Sequence, residues 1–171
     1  KLIDKFENVW SCASSWRPHK RLSENIKYFL EHSSEKDCLI IAGEKNEDIF
    51  KNDRVFYVGK INILQLISLY KRSKYFIHLA WLDHCPNVVV DARASGCQVI
   101  CSSSGGTKEI AGSDAIIIEE DEWDFKPVKL YEPPPLDFSK KLLKNLWNSD
   151  YNFDMSSVSR QYFDFIKRTI E

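Results

Sequence analysis

No stretch of this 171-residue sequence is apolar for long enough to cross a membrane as a helix, which takes about 20 residues, and no secretory signal opens it. Charge of one sign is missing too. Lys and Arg number 24 against 25 Asp and Glu, a net charge of -1, so no global field draws nucleic acid or an anionic membrane surface. The five cysteines, at positions 12, 38, 85, 97 and 101, are an odd number without the spacing of a disulfide framework. His84, Cys85, Cys97 and Cys101 lack the paired short spacings of a zinc site. Free thiols in a reducing, cytoplasmic compartment are the expectation. The dinucleotide pattern Gly-x-Gly-x-x-Gly is absent, which argues against NAD, and no Gly-Lys-Ser/Thr closes a Walker loop. There is no internal repeat. No Met precedes Lys1, and the chain is expected to be a piece of something longer.

What is present is an alternation of short apolar runs with amphipathic stretches. Val9 to Ser14, Cys38 to Gly43, Val55 to Gly59, Tyr75 to Ala80, Gln98 to Cys101 and Ala115 to Ile118 read as strands. Leu22 to Glu31, Ile63 to Tyr70 and Asn87 to Ser95 carry apolar residues at helical spacing between them, the last stopped by Gly96. Strands that are continuously apolar, each separated by a helix, predict a parallel sheet covered on both faces. The expected fold class is α/β, a Rossmann-like doubly wound parallel sheet. Residues 1–135 form that domain in this reading. Pro133-Pro134-Pro135 then interrupts regular structure, and two C-terminal helices are expected within 136–171, over Leu136 to Trp147 and Met155 to Ile170.

In a doubly wound sheet, ligands bind beyond the carboxyl ends of the strands. Three segments fall there. Arg17, Lys20 and Arg21 lie in the turn after the first strand, where Arg17 suits paired bonds to phosphate oxygens and Lys20 acts as a point charge. Asp83 and Asp91, eight residues apart, flank the passage from strand to helix, and ionised carboxylates accept hydrogen bonds from sugar or ribose hydroxyls. Gly105-Gly106-Thr107-Lys108-Glu109 follows a buried strand, where adjacent glycines admit a close backbone approach and a helix start favours phosphate. Each alone is as well explained by a solvated turn, a helix surface or a ligand-free loop. In this order along one sheet edge, they describe a crevice for a nucleotide-sugar.

These residues resemble the C-terminal, donor-binding half of a retaining glycosyltransferase of group 1 (family 4), with the two-domain GT-B fold. The resemblance covers about residues 9 to 120. It is firmest in Pro-Asn-Val-Val-Val-Asp-Ala-Arg-Ala-Ser-Gly from Pro86 and in Ser-x-Gly-Gly-Thr-x-Glu from Ser103. The resemblance implies that Asp91 holds the ribose, that Asp83 lies near the transferred sugar, and that Arg17 and Lys20 stabilise charge on the departing diphosphate. It further implies Gly105, Gly106 and Thr107 near the sugar-phosphate with Glu109 bracing their loop, and Gly59 and Lys60 where a base-binding loop begins. The implied partners are a UDP- or GDP-sugar, bound without metal or other cofactor, and an N-terminal acceptor-binding domain toward which the last helix and the acidic run with Trp123 could face. Nucleic acid and an integral membrane segment are not implied. Two features depart from the family. Both acids are Asp where Glu is usual, shortening their reach by roughly 1.3 Å, and the Arg17 to Lys20 spacing is tight. The double Asp keeps one alternative in play, a binding or scaffolding module that has the fold without the chemistry. Other GT-B activities, and receiver-like or flavin-binding doubly wound domains, are less favoured by these residues.

Overall fold

The computed structural model describes residues 3–44, 50–140, 142–143 and 154–170. Its centre is a seven-stranded sheet. The chain runs through β1 (Asn8–Ala13), α1 (Leu22–His32), β2 (Asp37–Ala42), β3 (Val55–Gly59), α2 (Ile63–Arg72) and β4 (Tyr75–His78). It continues with α3 (Asn87–Ala94), β5 (Gln98–Ser102), α4 (Thr107–Ile110), β6 (Ile116–Ile118), β7 (Leu142–Leu143) and α5 (Met155–Ile170). Strand order is β3-β2-β1-β4-β5-β6-β7. The first six strands are mutually parallel, and β7 pairs antiparallel with β6. The order reverses direction between β1 and β4, so their carboxyl ends flank the switch point at which such sheets bind ligands.

The continuous apolar runs have a direct cause. Alternate residues of one strand point to opposite faces, and both faces are buried. Leu39 and Ile41 of β2, Ile77 of β4 and Ile100 of β5 pack with Trp10, Ile26 and Phe29 on the α1 face. Phe76, Val99 and Cys101 point the other way, against Tyr70 of α2 and Val89 and Ala92 of α3. Asn62 and Gln65 form a reciprocal cap that starts α2, with bonds of 2.9 and 3.0 Å. All five cysteines are free thiols; only Cys85 is exposed, and burial pushes Cys38 and Cys97 up to about 11 and Cys101 up to about 12.

The C-terminal expectation needs correction. In place of the helix expected over Leu136 to Trp147, residues 136–140 form a turn and Leu142–Leu143 joins the sheet as β7. Asp137 explains the difference. Its carboxylate accepts from the Ser139 amide at 2.9 Å and the Ser139 hydroxyl at 2.7 Å, a local bond that competes with helix formation. Residues 141 and 144–147 of that expected helix lie outside the described residues. Leu136 is buried in the cluster on the α1 face, and Phe138 packs against it. Helix α5 has its expected bounds, and Tyr162, Phe165 and Ile166 on its apolar stripe are exposed. Among the described residues no helix is long and apolar enough to cross a membrane.

Candidate functional site

Three connections converge at the carboxyl edge around the switch point. After β1, Pro18 opens a one-turn 3-10 helix over Pro18–Lys20, and Arg21 follows in the left-handed region at φ 51°. Buried Asn25 braces this turn, donating to the Lys20 and Arg21 carbonyls at 3.1 and 2.6 Å and accepting from the Leu79 amide at 3.3 Å. After β4, the chain from Leu79 to Leu82 is tied down on both sides. The Trp81 amide donates to the His19 carbonyl at 2.7 Å, and the Leu82 amide to the Ser104 hydroxyl at 2.9 Å. After β5, Gly105 pairs with Asp83 in an isolated parallel bridge, and the Asp83 carbonyl accepts from the Gly106 amide at 3.0 Å and the Thr107 hydroxyl at 3.3 Å.

The Asp83 backbone is thereby fixed, and its side chain lies between two donors. One carboxylate oxygen, Oδ2, accepts from His78 Nε2 at 2.7 Å and from the Lys20 ammonium. The other, Oδ1, has no hydrogen-bond partner among the described residues. Burial acts to raise the Asp83 pKa, but hydrogen bonds from His78 and Lys20 outweigh it and hold the carboxyl well below the usual carboxylate range. His78 is displaced downward as well, because burial dominates over the pull of Asp83 and the Lys20 charge adds to the lowering. The two directions agree on one state: ionised Asp83 accepting from a neutral imidazole protonated at Nε2.

That state has a pH consequence. The folded His78 pKa is depressed, whereas the unfolded imidazole takes up a proton near the ordinary 6.5, so below that value the unfolded chain binds more protons. Stability is expected to be full above pH 6.5 and to fall as pH drops through the lowered folded value. His78→Gln keeps a donor to Asp83 and removes the titration. It should flatten the stability-pH slope in this window by up to about 1.4 kcal/mol per pH unit, leaving a residue from His19, which burial also lowers. Urea unfolding at stepped pH measures this, and an unchanged slope would contradict it.

Residues 3–124 match the family of glycosyl transferases group 1. The chain belongs to that family. Among solved structures, Alr3699/HepE of Anabaena in complex with UDP and glucose is 17% identical with a TM-score of 0.55, over 70% of this chain and 36% of that one. WaaG, a glycosyltransferase involved in lipopolysaccharide biosynthesis, is 18% identical with a TM-score of 0.54, over 69% and 35%. AviGT4, a glycosyltransferase involved in avilamycin A biosynthesis, is 17% identical at a TM-score of 0.50, over 68% and 39%. At such identities the likeness speaks for the fold, a Rossmann-like half of the GT-B kind. This chain spans 35–39% of the length of those proteins. A search of curated proteins finds no match to the sequence.

In this group 1 glycosyl transferase domain, the expected site residues are distributed unevenly. Lys20, Asp83, Gly105, Gly106 and Thr107 form one knot. Arg17 is exposed three residues before Lys20 and lines a separate depression with Trp16, Arg21 and Glu24. Asp91 sits four residues into α3, about 6 Å along the helix, half-buried and near enough to Tyr70 that its charge adds to burial in raising the phenol. Gly59 and Lys60 stand at the end of edge strand β3, with Lys60 exposed and 3.5 Å from Glu44. Thr107 is buried and its hydroxyl turns to the Asp83 carbonyl, so it ties loops together. The Glu109 amide donates to the Gly106 carbonyl at 3.1 Å in the first turn of α4, a bond that does not depend on its side chain, which is exposed on a cavity wall.

Two contributors escaped the sequence reading. His78, read as strand interior, occupies the last position of β4 and so faces the ligand edge; its place at a strand's carboxyl end was the available signal. Glu120, read as part of an acidic run, forms a two-pronged pair with buried Arg21 at 2.8 and 2.9 Å. Nothing local in sequence announces it.

Proposed function

We propose that this domain binds the nucleotide-sugar donor of a retaining glycosyltransferase, which transfers a sugar from a UDP- or GDP-sugar to a glycan or other acceptor held by an N-terminal domain. The observation that carries the reading is the Asp83 carboxylate, fixed at the switch point with one oxygen open and Lys20 against the other, in a chain of glycosyl transferase sequence.

The parts divide the work by chemistry. A Lys ammonium has three N–H donors, so Lys20 can hold Asp83 and still present protons to diphosphate oxygens, countering charge on the leaving group without a metal ion. Arg17, exposed and long, reaches the same phosphates from the neighbouring depression. The open Asp83 oxygen accepts a hydroxyl of the transferred sugar, and Asp91 takes the ribose. The base then lies toward Gly59 and Lys60. Three strand spacings separate β3 from β4, about 14 Å, which gives the donor an edge to lie along.

Calorimetry tests this. UDP or GDP should give saturable heat with the 171-residue chain, and a matching nucleotide-sugar should bind without turnover. Lys20→Ala is expected to weaken diphosphate binding about 10- to 100-fold, the value of a hydrogen bond to a charged group, and to spare the free nucleoside. Asp91→Ala should weaken both ligands. Equal effects of the two changes, or no heat from either nucleotide, would defeat the assignment; turnover by this chain alone would defeat the need for a second domain.

A further inference from the structure

Two cavities meet at Trp123. One, of about 480 Å³, is walled by Ser104, Gly105, Gly106, Glu109 and Glu122. The other, of about 360 Å³, reaches His19, Asp83 and His84. Trp123 lines both. Its indole N–H donates to the Lys126 carbonyl at 2.8 Å, and its ring packs on Phe125 with centroids 5.1 Å apart. The polar end of the indole is thus already satisfied within its own turn. With its N–H engaged, what the side chain contributes to the two cavities it lines is the apolar indole ring, which is part of neither core cluster of the sheet.

A pyranose has that complement. One side of the ring is a patch of C–H groups, and its rim carries hydroxyls. An aromatic face covers the first, and carboxylates such as Glu109 and Glu122 accept from the second. Concave sites of this kind fix a ligand by a few polar groups set around an apolar surface. We infer that Trp123 is the stacking platform of a pyranose subsite that opens directly from Asp83. The inference rests on the donor-binding reading for its place beside the reacting centre. The pyranose is either the sugar carried by the donor or a sugar of the acceptor, and the two sources are separable.

The test uses Trp123→Ala and Trp123→Phe in the 171-residue chain, titrated with the nucleotide-sugar, the free nucleoside diphosphate and simple methyl pyranosides. The expected result is that Trp123→Ala weakens the nucleotide-sugar about tenfold, the scale of one aromatic contact. The nucleoside diphosphate should change by less than about twofold, and Trp123→Phe should recover most of the loss. That pattern assigns the subsite to the donor sugar. Loss confined to the pyranosides assigns it to the acceptor. Equal weakening of nucleotide-sugar and nucleoside diphosphate, or no change with any ligand, overturns the platform. If the unaltered chain binds no nucleoside diphosphate, the donor reading fails separately, and the pyranoside titrations alone decide whether Trp123 stacks a sugar.

Discussion

Arg21→Ala is expected to cost about 3–5 kcal/mol of folding stability, the range for removing one partner of a buried ion pair. The guanidinium is buried, with two prongs on Glu120 at 2.8 and 2.9 Å and further bonds to the carbonyls of Pro134 at 2.8 Å and Leu79 at 3.4 Å. It joins the turn after β1, the loop after β4 and the segment after β6. Truncation leaves Glu120 charged with no cation and the Pro134 carbonyl without a donor. Arg21→Lys should recover only part of the loss, because one ammonium cannot reproduce the two-pronged geometry. Combining Arg21→Ala with Glu120→Ala should cost less than the sum of the two single changes, since the orphaned charge is gone. Denaturant unfolding of the unaltered chain and these four variants measures this. A loss under about 1 kcal/mol, the level of an exposed pair, would show Glu120 solvated in solution.

Gly105→Ala has the next largest effect, and it strikes the site. Gly105 sits at φ 72°, and a Cβ there would lie 2.5 Å from the Asp83 carbonyl oxygen and 2.9 Å from its amide nitrogen. Two costs add: the left-handed backbone and the overpacking against Asp83, together about 2–4 kcal/mol. Relief requires the Asp83 loop to retreat, which withdraws its carboxylate from Lys20 and His78. Nucleotide-sugar binding should therefore fall by more than about tenfold even where the protein remains folded. Gly96→Ala is the control. Gly96 has φ 96° with open space around it, so alanine there carries only the backbone cost and should leave binding intact. Equal binding by the two variants would mean that the contact between the glycine loop and Asp83 does not position the carboxylate. The structure thus gives Gly105 and Gly106 a role beyond admitting a ligand: they let two loops touch, since a Cβ on Gly106 would likewise meet the His84 carbonyl at 2.3 Å.

The sheet was legible in sequence because burial on both faces writes each strand as an unbroken apolar run, as in Leu39 to Ile41 and Val99 to Cys101. Helix α5 was legible from the spacing of Val158, Tyr162, Phe165 and Ile166. The segment from Leu136 was not, because a single Asp137 side chain diverts the backbone into a turn that periodicity does not register. At the site, Lys20, Asp83 and the glycine pair were recoverable from their order at successive strand ends. Asp91 was paired with Asp83 by spacing, by their place at a strand-to-helix junction and by resemblance; the structure puts it in the helix that begins at Asn87, about a turn beyond Asp83's loop. Arg21 and Glu120 stand 99 residues apart, and a contact of that range leaves no trace in either neighbourhood. Glu120 was hidden further by the acids around it, which resemble a solvated run.

The antiparallel partner of β6 bears on association between copies of the chain. β6 is three isoleucines long and would otherwise end the sheet on that side with its amides and carbonyls bare. Unpaired borders of that composition recruit strands from other chains, and Leu142–Leu143 occupies the position first. The residues past the proline run thereby cover the edge of the sheet's last parallel strand, leaving it no bare border for a strand of another chain to join.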